Sequence, residues 1–306
     1  MLTVRTVAED SRDAPRGAQP MTHLRAARAL ACAAAIMMSG PLVIATAHAA
    51  TDPAGIKLIP HRAIYDLKLK SVRNGRAIES VSGRILYDFT GNACDGYALE
   101  FRQVSALESG EGKSTLSDQE TKTWEDGKAR SFRFSSRNRL GEKVVSNVVG
   151  KASRDGRGLG VALTKPLKKS FDAGVGMAFP TEQIRRIIAA ARDGQTMLAL
   201  PVYDGSEDGQ KIYDTLAVIG KPIAPDQDVP TDAAKGKPQL KGLTRWPVTL
   251  SYFERTDKKL DKIPTYTLDF ELYENGISRA LTIDYNDFVL TGVMSSLDIR
   301  DTKACK

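Results

Sequence analysis

Tyr65-Asp66-Leu67-Lys68-Leu69-Lys70 decides the fold. Apolar side chains alternate with charged ones, so every second residue points the same way, as in a strand with one buried face. The pattern starts at His61, after an irregular lead-in to Pro60. Downstream, Asn74-Gly75 is a hairpin signal, because both residues tolerate the positive φ of a tight turn. Val81, Gly83, Ile85, Tyr87 and Phe89 form the next alternating run. Gly91–Gly96 turns the chain and carries Cys94, and Tyr97, Leu99 and Phe101 restart the alternation.

The same text continues toward the C-terminus. Leu107–Lys113 reads as a loop and Ser114–Trp124 as a strand with a wet face. Phe132 and Phe134, Val144–Val149 and Gly160–Leu163 give three short strands. Thr196–Tyr203, Lys211–Ile219, Trp246–Phe253, Tyr266–Leu272, Ile277–Tyr285 and Phe288–Ile299 complete the set. Lys221–Gln239 is rich in Pro, Asp, Lys and Ala and reads as a surface insertion. One segment breaks the pattern. After Phe179-Pro180, Thr181 is a candidate cap, Glu182 suits the positive end of the dipole, and Gly194 ends the run. Ile184, Ile187, Ile188 and Ala191 share one helical face, with Arg185 and Arg186 on the other. The predicted fold class is all-β and mainly antiparallel, a sandwich or barrel of 12 to 14 strands with one amphipathic helix that plugs or covers an open end.

Outside this region the chain carries a processing signal. Arg25 and Arg28 precede the apolar stretch Ala29–Ala45, broken at Gly40-Pro41, and Ala47-His48-Ala49 follows with small residues where a signal peptidase reads. Residues 1–20 are read as a non-native extension, 21–49 as a signal peptide and 50–306 as a single domain. No second apolar stretch exists, so the mature chain is expected to be periplasmic and to lack a transmembrane segment. Hydrophobic residues make up 42 % and charged residues 26 %, enough for a core. The net charge of +7 is dispersed, with no long Lys/Arg block, which excludes a nucleic-acid-binding reading.

Removal of the leader takes Cys32 with it and leaves Cys94 and Cys305. Two cysteines in an oxidising compartment are expected to form a structural disulfide. Cys305 follows the last strand, so such a bond is expected to fasten one free end of an open sheet. Two thiols fall short of a zinc site, and His61 is the one histidine left. No Gly-x-Ser-x-Gly elbow or phosphate-binding loop is present. Gly156, Gly158 and Gly160 read as turn residues. Carboxylate pairs such as Asp118 and Glu120 on one strand face, or Glu125 and Asp126 in a turn, are ordinary in a chain with 37 acids. No catalytic residue, metal site or cofactor is assigned. Trp246, Tyr252, Tyr266 and Phe270 face inward and line a ligand cavity or pack the core.

His61-Arg62-Ala63-Ile64-Tyr65-Asp66-Leu67, Thr123-Trp124-Glu125-Asp126-Gly127, Phe179-Pro180-Thr181, Pro201-Val202-Tyr203-Asp204-Gly205 and Phe270-Glu271-Leu272-Tyr273-Glu274-Asn275-Gly276 together resemble the EipB family of alphaproteobacterial cell-envelope integrity proteins. The resemblance covers the mature chain from about Lys57 to Cys305. It implies a broken β-barrel, or β-spiral, of about 14 strands and a disulfide between Cys94 and Cys305. It also implies a non-enzymatic role in envelope integrity and stress resistance, linked to a periplasmic tetratricopeptide-repeat protein. The alternative is a carrier for an envelope lipid or lipoprotein with an apolar cavity, and a third reading is an envelope hydrolase.

Overall fold

Alternation produces strands almost everywhere it occurs. The computed structural model describes residues 50–73, 78–110, 112–225, 227, 231–255, 263–302 and 305. The leader and Asn74-Gly75 lie outside them. The strands are β1 (His61–Val72), β2 (Ile78–Asn92), β3 (Gly96–Ser109), β4 (Lys113–Glu125), β5 (Ser131–Leu140), β6 (Lys143–Asp155), β7 (Gly158–Lys165), β8 (Lys169–Asp172), β9 (Met197–Val202), β10 (Tyr213–Ile219), β11 (Arg245–Glu254), β12 (Tyr266–Tyr273), β13 (Ser278–Asp284) and β14 (Phe288–Ile299). A helix, α1 (Pro180–Arg192), separates β8 from β9.

All 14 strands form one sheet in the order β8-β7-β6-β5-β4-β3-β2-β1-β14-β13-β12-β11-β10-β9, every neighbour antiparallel. Each adjacent pair is consecutive in sequence except β1 with β14, which run from His61 opposite Ile299 to Val72 opposite Phe288. The fold is thus two meanders, β1–β8 and β9–β14, joined at their outermost strands. The free edges are β8 and β9.

The segment between those edges bridges them without a full strand pair. Ala173 donates to the Leu159 carbonyl on β7 at 2.8 Å, and Ala178 donates to Pro201 on β9 at 2.8 Å. Tyr203, just past β9, packs edge-on against Phe134 of β5 at 5.7 Å, so side chains complete the closure that backbone pairing leaves open.

Helix α1 follows directly. Pro180 occupies the first helical position, where its missing N–H costs nothing, and Phe179 is the cap residue. At the other end Gly194 has φ +71. Gln195 N–H donates to Ala190 and Gly194 N–H to Ala191, the paired bonds of a Schellman stop. Ile187 and Ile188 are 1 % and 0 % exposed, packed with Trp246, Val248 and Phe270 of β11 and β12. Each such side chain contributes about 2–3 kcal/mol by burial. The lead-in covers the helix from outside: Ile56 and Leu58 join the same cluster, and Thr51 bonds Asp193 at the C-terminal end. Arg185, which the helical wheel alone directs to solvent, is buried as well, against Tyr97 of β3, Glu125 at the end of β4 and the Gly127 carbonyl.

Three further readings are corrected. Leu107–Lys113 is mostly strand, because β3 runs to Ser109 and β4 starts at Lys113. Lys221–Gln239 is not merely a surface excursion. Its Ala234 is buried, Asp232 bonds Arg279 at 2.8 Å, and Ala233 N–H donates to Met294 on β14. Beneath it, Arg245 bonds Glu271 at 2.6 Å in a buried ionic cluster.

Finally, Cys94 and Cys305 are bonded, with Cα atoms 5.7 Å apart. The expected fastening of a sheet edge is not what the bond does. Cys305 follows β14, which is paired on both sides, so the bond reaches across β1 to the β2–β3 turn at the middle of the sheet. It reinforces the one strand pair that joins the two meanders.

Candidate functional site

The N-terminus of α1 looks down on the inner faces of β2–β4 and β11. A hollow of about 170 Å³ lies there, with His61, Tyr87, Thr123, Thr181, Gln183 and Tyr252 among its walls. β2, β3 and β4 align Tyr87 with Phe101 and Thr121, and Phe89 with Leu99 and Thr123, so one wall is aromatic and the other hydroxylated.

Glu125, read from sequence as a turn residue, ends β4 with its side chain inward and 1 % exposed. Its two carboxylate oxygens accept the backbone N–H groups of Thr181 and Glu182, both at 2.8 Å. A carboxylate from 56 residues away therefore does the work expected of a local cap at Thr181. Arg185 is 3.9 Å from Glu125, donates to the Gly127 carbonyl at 2.8 Å and lies over the Tyr97 ring. Its Nε has no partner among the described residues. Burial pushes the Glu125 carboxyl up to about 7, against the opposing pull of the Thr181 amide and Arg185. From the other side Arg154 on β6 reaches Glu182 and the Met177 carbonyl, tying β6 to the helix start.

His61 is buried. Its Nδ1 donates to the Ile59 carbonyl at 2.9 Å, leaving Nε2 as the acceptor nitrogen, and its ring stacks on Tyr87 at 5.4 Å. Burial lowers its pKa, which favours the neutral ring. Burial raises the Tyr87 hydroxyl well above its ordinary value.

Of the four aromatics read as cavity or core, Tyr252 lines the hollow. Its hydroxyl donates to Gln183 Oε1 at 3.1 Å, Gln183 Nε2 donates to Thr215 at 3.0 Å, and Thr215 donates to the Leu200 carbonyl at 2.7 Å. Tyr266 stacks on Tyr252 at 4.5 Å. Trp246 and Phe270 pack against α1 in the surrounding cluster. The carboxylates Asp118 and Glu120 lie on the outer face instead: Arg102 holds Asp118 at 2.9 Å, and Lys122 is 3.5 Å from Glu120. Of the three glycines read as turn residues, Gly156 lies in the β6–β7 turn, whereas Gly158 opens β7 and Gly160 lies within it, because Asp155 accepts from Gly158 N–H at 3.1 Å and closes the turn in two residues.

The arrangement can hold a helix in a seam and keep a small, mixed polar and aromatic hollow beneath it. Among the described residues no group of His, Cys, Asp and Glu is disposed to hold a metal ion. A single open sheet plugged by one helix defines the class: a β-barrel-like protein.

Within that class, residues 52–301 match the family described as EipB-like, and the chain belongs to that family. It is 36 % identical over 282 residues to the cell envelope integrity protein EipB of Brucella abortus, covering 92 % of this chain and 97 % of that protein. It is also similar to a crystal structure from Brucella abortus, a β-barrel-like protein of a domain of unknown function, with TM-score 0.73 and 34 % identity over 80 % of this chain and all of that one.

Proposed function

We propose that this protein maintains the integrity of the cell envelope, that it is exported to the periplasm, and that it acts without catalysing a reaction, through a protein partner or an envelope ligand. The observation that carries this is the similarity to the Brucella envelope integrity protein along nearly the full length of both chains. The Cys94–Cys305 bond supports the compartment, since such bonds persist where the surroundings are oxidising. Among the described residues no helix is long and apolar enough to cross a membrane. A tetratricopeptide-repeat protein is the partner the family resemblance implies. The lipid-carrier alternative has less support, because the hollow of about 170 Å³ is below the roughly 300 Å³ at which pockets for drug-sized ligands begin.

The test is a strain lacking the gene, challenged with detergents and cell-wall antibiotics and complemented in trans. Sensitivity rescued by the gene is expected. Unchanged resistance overturns the envelope reading.

A further inference from the structure

The outer face of β1–β5 matches charges across strands. Asp66 is opposite Arg84, Glu100 opposite Lys122, and Glu120 opposite Arg137. Where like charges oppose, as at Asp88 and Glu100, each has its own cation, Arg300 at 2.7 Å and Lys122 at 3.4 Å. Arg133 on β5 and Lys151 on β6 break this pattern. They are directly opposite on the outer face, and among the described residues neither has a carboxylate partner. Like charges so placed repel, and the sheet is less stable for it.

These two cations stand over an apolar floor. The row runs Trp124, Arg133, Lys151, Ala162 across β4–β7, with Val149 in the neighbouring row. It forms an open groove of about 460 Å³, and no acidic side chain lines it. The Arg133 guanidinium lies 4.0 Å from the centre of the Trp124 ring, which fixes its position. At one end, Lys165 pairs opposite Val149 and leads into Lys165-Pro166-Leu167-Lys168-Lys169, where Leu167 is 76 % exposed.

We propose that this groove binds the phosphate headgroup of an anionic phospholipid at a bilayer surface. The headgroup sits between Arg133 and Lys151, and Trp124 and Leu167 enter the interfacial layer. An anion removes the repulsion between the two cations. An apolar floor and an exposed leucine within a basic loop suit an amphiphile better than a free ion. The choice of lipid rests on the envelope reading, whereas the preference for an anion does not. A binding measurement on purified protein keeps the two separable, since its failure leaves the phenotype of the deletion strain standing.

Co-sedimentation compares vesicles of phosphatidylcholine alone with vesicles containing about one third phosphatidylglycerol. Binding to the second only, weakened by salt, is expected. Arg133→Gln with Lys151→Gln should weaken it about tenfold or more, and Leu167→Asp should also weaken it. The chain has two tryptophans, so Trp246→Phe leaves Trp124 as the reporter, and its emission should shift blue on the anionic vesicles. Equal binding to both vesicles, undiminished binding by the Gln double variant, or no shift in Trp124 emission overturns the proposal. A Trp124 response to inorganic phosphate without vesicle binding overturns it in favour of a small-anion site.

Discussion

Glu125 and Arg185 lie 3.9 Å apart at the start of α1, with side chains 1 % and 3 % exposed. The carboxylate comes from the end of a strand and the guanidinium from the second turn of the helix. Between them they hold the helix N-terminus in the seam of the sheet. The buried pair is thus a positioning device, and its worth is read by breaking one partner at a time.

The Glu125 carboxyl has an ordinary value of 4.5 and is pushed to about 7 in the folded protein by burial. Between those values the folded state binds the extra proton, so the stability it contributes is full below 4.5 and is lost as pH rises toward 7. Glu125→Gln removes this dependence. Urea unfolding across the window should show the wild type losing stability relative to the variant, by on the order of 3 kcal/mol as pH rises. A difference that is flat, or that grows in the other direction, contradicts the assignment.

The disulfide closes a separation of 211 residues. The chain-entropy model gives about 5 kcal/mol for a loop of this size, as an upper figure. Cys94→Ser and Cys305→Ser should each lower the melting temperature, with the double variant no worse than either single one. Limited proteolysis should cut first near β1 or β14 rather than at β8 or β9. Two reactive thiols in the unreduced protein would exclude the bond.

Arg245 is 2 % exposed and bonds Glu271, which also accepts from Arg279. Arg245→Ala leaves a half-buried carboxylate with half of its compensation. A loss of about 3 kcal/mol in unfolding free energy is expected, with Arg245→Lys recovering little because one ammonium cannot reproduce the fork. A loss under about 1 kcal/mol, the figure for exposed pairs, would show that the cluster is solvated.

Much of the architecture was legible because alternation is a local property. Tyr65, Leu67 and Leu69, or Trp246, Val248 and Leu250, identify strands with no knowledge of their neighbours. β8 escaped because Lys169-Ser170-Phe171-Asp172 has one apolar residue and no period to detect. Glu125 escaped for a different reason. Its partners are the amides of Thr181 and Glu182, and no local pattern reveals that a carboxylate beside a turn faces inward. Arg185 was misplaced because a helical wheel assumes one covered face, whereas Tyr97, Glu125 and the Gly127 carbonyl cover a second. The two cysteines could be paired from their number and compartment. Their place in the sheet could not, because sequence order does not tell which strands become edges.

That order bears on how the protein is made. Every strand pair but one joins neighbours in the chain, so each meander can zip hairpin by hairpin as it emerges. The exception, β1 with β14, needs the last strand before the first can gain its second partner. A chain delivered N-terminus first therefore exposes one long edge of β1 until delivery is nearly finished. In such a chain the two meanders stay unjoined until the final strand is released.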